Sequence, residues 1–356
     1  MTQASRYTIE IVNPAGSLIA DISGIATGRS FTVRRNRAET IDLACDLGEA
    51  MRLARDLGLT FNQLFGPGLN EVRVTRGNRT LVGGQIVYVE PRLTADRRTL
   101  SIRATGFLDL FKDRYVLNTP VSYTADMGKI AWDFINTTQS LTNGDVGVRQ
   151  GTIQTSRTIT ETWQPFATSI KDILIGLTER ISGIDFSFTP DKHFNVYYPG
   201  LGTDKTELLF SYPGNIREIA APIDATELIN VSINRGSGNG LDQQTIETRH
   251  DTASQASYKR HERIDDYPSI SVVATLDEKG DETLRRFASP TRIPEVALDG
   301  AAQPALGAYW VGDRVRFAVA DPAFAELDGQ TWRINELNVA IDENDRETVR
   351  LKVGYA

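Results

Sequence analysis

The sequence predicts a mainly β protein with an α+β insert, in which two similar small β-barrel units flank a helix-and-hairpin segment. Three observations lead there. Three strand patterns separated by turns describe an antiparallel meander between Glu71 and Phe111; apolar spacing turns helical after Val116; and strands return from 222 onward, closing on a second meander. By this reading residues 1–115 form a first barrel with a short helix near 48–58. Residues 116–221 form the insert, and 222–356 a second barrel with a helix near 277–288.

Tyr7–Val12 alternates as a strand and ends at the turn Asn13–Gly16, with Leu18–Ile22 as its hairpin partner. Phe31–Val33 begins a strand running on through Arg37. Thr40–Leu47 follows with Ile41, Leu43, Cys45 and Leu47 on one face, which makes Cys45 a core residue; no His or basic cluster flanks it to lower its pKa. Ala50, Leu53, Ala54 and Leu57 sit at helical spacing and Gly58 stops that helix. In the first meander, Val72–Thr75 alternates, Arg76–Arg79 is a turn, and Gln85–Glu90 is a strand that Pro91 ends. Gly83 and Gly84 suggest a bulge or sharp bend there. Leu100, Ile102 and Ala104 then alternate with Ser101, Arg103 and Thr105, and Gly106–Phe111 closes as an apolar plug.

In the insert, Met127–Leu141 is amphipathic, with Trp132 read as core or interface. Ile170–Ile181 is a helix opened by Ser169 and Asp172 at capping-box spacing, with Asp in place of Glu. Ile184–Phe188, the turn Thr189–Lys192 and Phe194–Tyr198 make a hairpin. Beyond 222, Leu228–Asn234 is a strand ending in the glycine run Arg235–Gly240. That run lacks a following Lys-Ser/Thr and a helix, so it reads as a hairpin tip and not as a phosphate cradle. A polar segment spans Gln243–Arg263, Asp277–Ala288 looks helical, and Ala308–Phe317, Gln330–Ile341 and Glu347–Val353 form the closing meander. This meander echoes the first: Val72–Val74 beside Val315–Phe317, Gly84–Val89 beside Gly329–Ile334, and Leu100–Ala104 beside Val349–Val353.

Composition narrows the function. With 40% apolar and 24% charged residues the chain is of ordinary globular make-up. One cysteine excludes an internal disulfide, and three scattered histidines leave no zinc-ligand spacing. The N-terminus lacks a signal-peptide pattern and no apolar run approaches the roughly 20 residues of a membrane span, so a soluble product made in the cytoplasm is expected. The net charge is −7, yet residues 1–115 hold 16 basic against 12 acidic residues, about +4, leaving the remainder near −11. No aromatic-and-basic strip accompanies that charge, which suits docking or self-assembly better than nucleic-acid binding.

Catalysis needs a positioned base, nucleophile or metal. His193 falls in a hairpin turn, and His250 and His261 in a polar stretch. No HExxH, GxSxG, CxxC or Walker pattern occurs, and the acidic runs Asp277–Glu282 and Asp342–Asp345 lack EF-hand spacing. The residues nominate no catalytic, cofactor-binding or metal site, and the chain is read as a non-enzyme.

The layout resembles the hub proteins at the tip of long-tailed phage tails, the tail-associated or minor tail proteins related in fold to contractile-phage baseplate hubs. The resemblance rests on Phe31–Arg37, Thr40–Leu47, Val72–Val74, Gly84–Ile86 and the strand into Gly106–Phe111. It continues in Ser257–Arg263, the helix before Ser289-Pro290, Val311–Val315 and Trp332–Ile334. Where that family often has glycine after the tyrosine of a Ser-x-Tyr-Gly segment, this chain has Lys259. The resemblance implies a structural virion protein at the tail tip, a homotrimer whose six barrels form a pseudo-sixfold hub ring. Such a ring adapts a sixfold tail tube or distal tail ring to a threefold tip and closes the tube until DNA ejection. Its implied partners are the distal tail or tail tube protein, the tape-measure protein, and separate fibre or spike proteins, with DNA passing the lumen unbound. It implies no cofactor, and a hub without fibre or peptidase region. The alternatives are the hub of a contractile tail or injection system, and a glycan-binding tail component.

Overall fold

A computed structural model of the chain describes residues 7–117, 119–180, 182–238, 244–268 and 270–355. The first strands are β1 (Tyr7–Val12), β2 (Leu18–Asp21), β3 (Ala26–Arg34) and β4 (Thr40–Asp46). β4 buries Ile41, Leu43 and Cys45, as its period-2 pattern requires, and burial pushes the Cys45 thiol up to about 12. Helix α1 (Leu47–Asp56) follows, its first turn capped by the Asp46 carboxylate on the Glu49 amide at 2.8 Å. A second short helix unforeseen in the sequence, α2 (Phe61–Phe65), opens on a Thr60–Gln63 capping box. Then come β5 (Glu71–Arg76), β6 (Arg79–Leu93) and β7 (Arg98–Thr105).

Two expectations for β6 are corrected. The strand does not stop at Pro91 but runs to Leu93. Its β5 neighbour ends opposite Gln85, so beyond that point β6 is an edge, where a residue without an N–H is tolerated. Gly83 and Gly84 are not themselves the bulge. A Cβ on Gly84 would lie 2.5 Å from the Thr105 carbonyl oxygen and one on Gly83 3.0 Å from that of Pro190, so these glycines allow backbones to approach, while the register slips on either side of them.

The insert contains β8 (Val121–Asp126), α3 (Met127–Gln139), β9 (Arg149–Gln150), β10 (Thr158–Trp163), α4 (Ile170–Thr178), β11 (Asp185–Phe188) and β12 (His193–Tyr197). Ser169 caps α4 as the sequence pattern asks, although α4 ends three residues before Ile181, and Asp126 caps α3, which the sequence reading did not name. The insert has a core of its own, built from Phe107, Phe111, Ile130, Phe134, Leu174, Phe186 and Phe194 among others. That core ends at Val196. The following strands, β13 (Asp204–Tyr212) and β14 (Ile216–Ala220), already belong to the main sheet, ahead of the expected limit at 221.

After β15 (Ile223–Asp224) a side unit interrupts the β part: β16 (Val231–Arg235), β17 (Ile246–His250), α5 (Thr252–Tyr258), β18 (Glu262–Asp266) and α6 (Val273–Phe287). Its three strands form a separate sheet, with β16 and β18 parallel, and α6 packs on β16 and β17. Residues 222–356 are therefore not barrel throughout, and the expected helix begins four residues before Asp277. The polar segment 243–263 contains β17 and α5, which its weak apolar pattern hid. Asn239 and Gly240 at the tip of the glycine run, with residues 241–243 after them, lie outside the described residues. The chain closes with β19 (Thr291–Arg292), β20 (Glu295–Asp299), β21 (Arg314–Val319), β22 (Thr331–Ile341) and β23 (Glu347–Tyr355).

Thirteen strands make one sheet, ordered β14-β20-β23-β22-β3-β4-β7-β6-β5-β1-β2, with β21 beside the start of β22 and β13 parallel to β21. The two β units are thus joined edge to edge, where Glu336–Ile341 of β22 pair antiparallel with Arg34–Arg29 of β3. One continuous core serves both, from Tyr7 and Phe31 to Phe317, Trp332 and Val353. Each such large side chain contributes roughly 1.5–3 kcal/mol by leaving water.

Hydrogen-bonded register makes the two units equivalent residue by residue. Val72 faces Gly84 as Val315 faces Trp332, and Ile86 faces Ala104 as Ile334 faces Val353. One residue then bulges in each long strand, Val87 and Asn335, after which Val89 faces Ile102 as Leu337 faces Leu351. The match continues outward. Cys45 faces Leu100 and Ala26, as Leu298 faces Val349 and Ile216, with second bulges at Thr27 and Arg217. The pairs Ala220 with Glu295 and Ile223 with Arg292 keep one register, so β14 and β15 form a single strand, interrupted at Pro222, that spans the equivalent of β3. The outer strands agree with the sequence alignment of the two meanders. The middle one is three residues out, Gly84 corresponding to Trp332 and not to Gly329.

Candidate functional site

The chemistry-bearing residues singled out in the sequence are not brought together. Among the described residues no three His, Cys, Asp or Glu side chains are placed to hold a metal ion. His193 lies 3.0 Å from Asp191 on an exposed turn, and His250 and His261 sit apart from it on the side unit. The acidic run on α6 is answered by arginines: Arg249 reaches Asp281 at 2.7 Å and Asp277 at 3.6 Å, and Arg285 holds Glu282 at 2.7 Å. The Asp342 carboxylate accepts from the Arg346 and Asn344 amides, which hold it below the usual carboxylate range, and Asp345 pairs with Arg29 at 2.8 Å. These are structural turns and ion pairs.

What the fold does assemble is a set of buried polar junctions between its parts. Asp185, at the start of β11, accepts from Asn36 Nδ2 at 2.6 Å, from Arg333 at 2.7 Å and from the Leu201 amide at 2.8 Å. One carboxylate therefore ties the first β unit, the insert and the second β unit. Asn36 holds the same place with its Oδ1, which accepts from the Phe186 amide at 3.0 Å, and its φ of 57° is one that Asn tolerates. On the other side of the insert Lys192 is buried in an ion pair with Glu71, donates to the Pro14 carbonyl at 2.8 Å and the Val146 carbonyl at 3.0 Å, and lies over the Phe107 ring. Burial pushes the Glu71 carboxyl up against the pull of Lys192. Sequence reading misses all of these because their members are up to 178 positions apart.

The second assembled feature is a pair of open strand edges. The outer edge of β6 beyond Gln85 and the outer edge of β14 and β15 carry no paired strand among the described residues. Leu93 is 71% exposed on the first and Ile223 61% on the second. Large exposed apolar groups on open edges mark interaction surfaces.

No protein-family model and no curated protein sequence matches the chain. Solved structures do match. The 43 kDa tail protein of prophage MuSo2 from Shewanella oneidensis superposes with a TM-score of 0.67 at 12% identity, over 98% of this chain and 98% of that one. This is the phage tail, baseplate-hub-like fold. The tail protein from Neisseria meningitidis MC58 gives 0.62 at 12% identity over 98% and 96%. The E. coli c3393 protein, a type VI secretion component described as similar to T4 tail proteins gp27 and gp5, gives 0.52 at 9% identity over 93% and 74%. The mainly β class and the hub-like resemblance read from the sequence agree with this fold, and no described helix is long and apolar enough to cross a membrane.

Proposed function

We propose that this chain is a structural virion protein, the hub at the distal end of a phage tail, and not an enzyme. The observation that carries the proposal is the internal duplication: equivalent strand registers with equivalent bulges at Val87 and Asn335 and at Thr27 and Arg217. A chain with two equivalent β units presents threefold symmetry to one neighbour and approximate sixfold symmetry to another when three copies close a ring. Such a homotrimer adapts a sixfold tail tube or distal tail ring to a threefold tip and closes the tube until ejection. Its partners are then the distal tail or tube protein, the tape-measure protein and separate fibre or spike proteins, with DNA sliding through an acidic lumen. The buried junctions at Asp185 and Lys192 suit a mechanical part, since they fix the insert against both β units.

Likeness to the type VI component favours one second reading, the hub of a contractile tail or injection system. The two differ in their neighbours and share the ring. Light scattering and negative-stain images of the purified chain test both: a threefold ring is expected, and a stable monomer that binds glycan overturns them.

A further inference from the structure

Within the chain, the two β units are joined where the second half of β22 pairs with the second half of β3, from Glu336 opposite Arg34 to Ile341 opposite Arg29. The internal equivalence maps that half of β22 onto Tyr88–Leu93 of β6, and that half of β3 onto Ile219–Asp224. Both mapped segments are the open edges described above. The units are thus joined once, with the equivalent halves of the same junction left unjoined at the two ends of the strand row β14-β20-β23-β22-β3-β4-β7-β6.

We propose that the open edge of β6 in one copy receives the open edge of β14–β15 of a second copy, repeating between chains the junction found within the chain. The proposal rests on the ring reading and names the surface that closes it. Register follows from the mapping: Leu93 opposite Ile219, Arg92 opposite Ala220, Pro91 opposite Ala221, Glu90 opposite Pro222, Val89 opposite Ile223 and Tyr88 opposite Asp224. Alternation along a strand puts Val89, Pro91 and Leu93 on one face with Ile219, Ala221 and Ile223, an apolar set. Their counterparts at the internal junction are buried: Ile341, equivalent to Leu93, is 3% exposed, and Val33, equivalent to Ile223, is 7% exposed.

In this register the Arg92, Arg97 and Arg98 of the β6–β7 hairpin, with Asp96 among them, meet the end of the opposing edge that carries Glu218 beside Arg217. At the internal junction the signs are reversed, with Asp345 of the β22–β23 turn pairing with Arg29 of β3. Pro91 and Pro222 donate no N–H, so the ladder between chains is shorter than the internal one. Prolines on exposed edges also suppress pairing with unrelated strands.

Cysteine cross-linking tests the register on the full chain, whose native Cys45 is buried. Leu93→Cys combined with Ile219→Cys is expected to give covalent multimers on oxidation, ending at the ring. Leu93→Cys with Ile223→Cys, displaced by roughly 13 Å along the strand, is expected to stay uncrosslinked. Equal yields from both pairs, or no product from the first pair in a chain that light scattering shows to be oligomeric, overturn this edge pairing and leave the ring standing. A wild-type chain that stays at 39.4 kDa overturns the ring and the edge pairing together. Leu93→Glu is expected to lower the oligomer mass to that of one chain while leaving its circular dichroism unchanged; an unaltered oligomer overturns the proposal.

Discussion

Arg76 lays its guanidinium on the carboxylate of Glu347, with Nε 2.6 Å from Oε1 and Nη2 3.3 Å from Oε2, and Tyr7 Oη donates to the same Oε1 at 2.9 Å. Arg76 also donates to the Leu306 carbonyl at 3.0 Å. The end of β5 is thereby fastened to the start of β23, across the shared core. Removing one member of a buried pair strands the other, which costs roughly 3–5 kcal/mol. Arg76→Met is expected to lower the unfolding free energy, read from guanidinium chloride titration, by that amount, and Arg76→Met with Glu347→Gln to recover most of it, because the amide still accepts from Tyr7. A double variant no better than the single one contradicts the assignment.

Asp185 is the insert's anchor. Asp185→Leu removes the acceptor for Asn36, Arg333 and the Leu201 amide at once, leaving three donors in a buried junction. A loss of at least about 3 kcal/mol is expected, together with protease cutting in the connections flanking 185–203 before the β units unfold. Cutting at unrelated sites with unchanged stability argues against an anchoring role.

Lys259 stands where the hub proteins that the sequence resembles often carry glycine, and its backbone shows what that difference means physically. It caps α5 with φ of 66° and ψ of −175°, a region that side chains other than glycine enter at a cost of roughly 1–3 kcal/mol. Its carbonyl accepts from Asn230 Nδ2, a bond that survives any substitution of the side chain. Lys259→Gly is expected to stabilise the chain by about 1 kcal/mol after the extra backbone entropy of glycine is deducted. Lys259→Ala, which keeps the Cβ, is expected to gain nothing, and thermal unfolding of the two variants separates strain from charge.

Local rules account for what the sequence discloses. Alternation locates the faces of β4, β7 and β23, and Ser169 opens α4 where its hydroxyl meets the Asp172 amide. Val72 with Val315 and Leu100 with Val349 align because paired strands repeat every second residue. The middle strand slips by three because Gly84-Gln85 and Gly329-Gln330 are the same dipeptide, yet the first lies inside β6 and the second before β22 begins. The strand through Ala221 is hidden by Pro222, and its pairing with Arg292 is set by the sheet and not by its own residues. The junctions at Asp185 and Glu347 are beyond reach for a plainer reason: a buried charge is indistinguishable from a solvated one until distant segments meet. The open edges had a signal, the apolar alternation Val89, Pro91, Leu93 and Ile219, Ala221, Ile223, which the prolines masked.

Glu39 links stability to pH. Its carboxylate packs on Gly106, where a Cβ would overlap it, at the entrance to the insert core. Burial pushes this carboxyl up to about 7 from 4.5, and Asp109 adds to the rise. A raised folded-state value means the native state binds the proton more tightly than the unfolded chain does. Its favourable contribution is therefore fully present below pH 4.5 and fades as pH climbs through 7, leaving a penalty on the order of 3 kcal/mol for keeping the ionised group buried. Glu39→Gln removes the ionisation while keeping size and polarity. Against wild type, its stability gain is expected to be near zero at pH 4 and to grow across pH 4.5–7 to a plateau by pH 8. Taking the difference between the two chains cancels Asp126 and Asp342, whose lowered carboxyls shift stability in the opposite direction. Urea midpoints at four pH values measure the curve, and a gain that does not change with pH assigns the effect to packing and not to the buried charge.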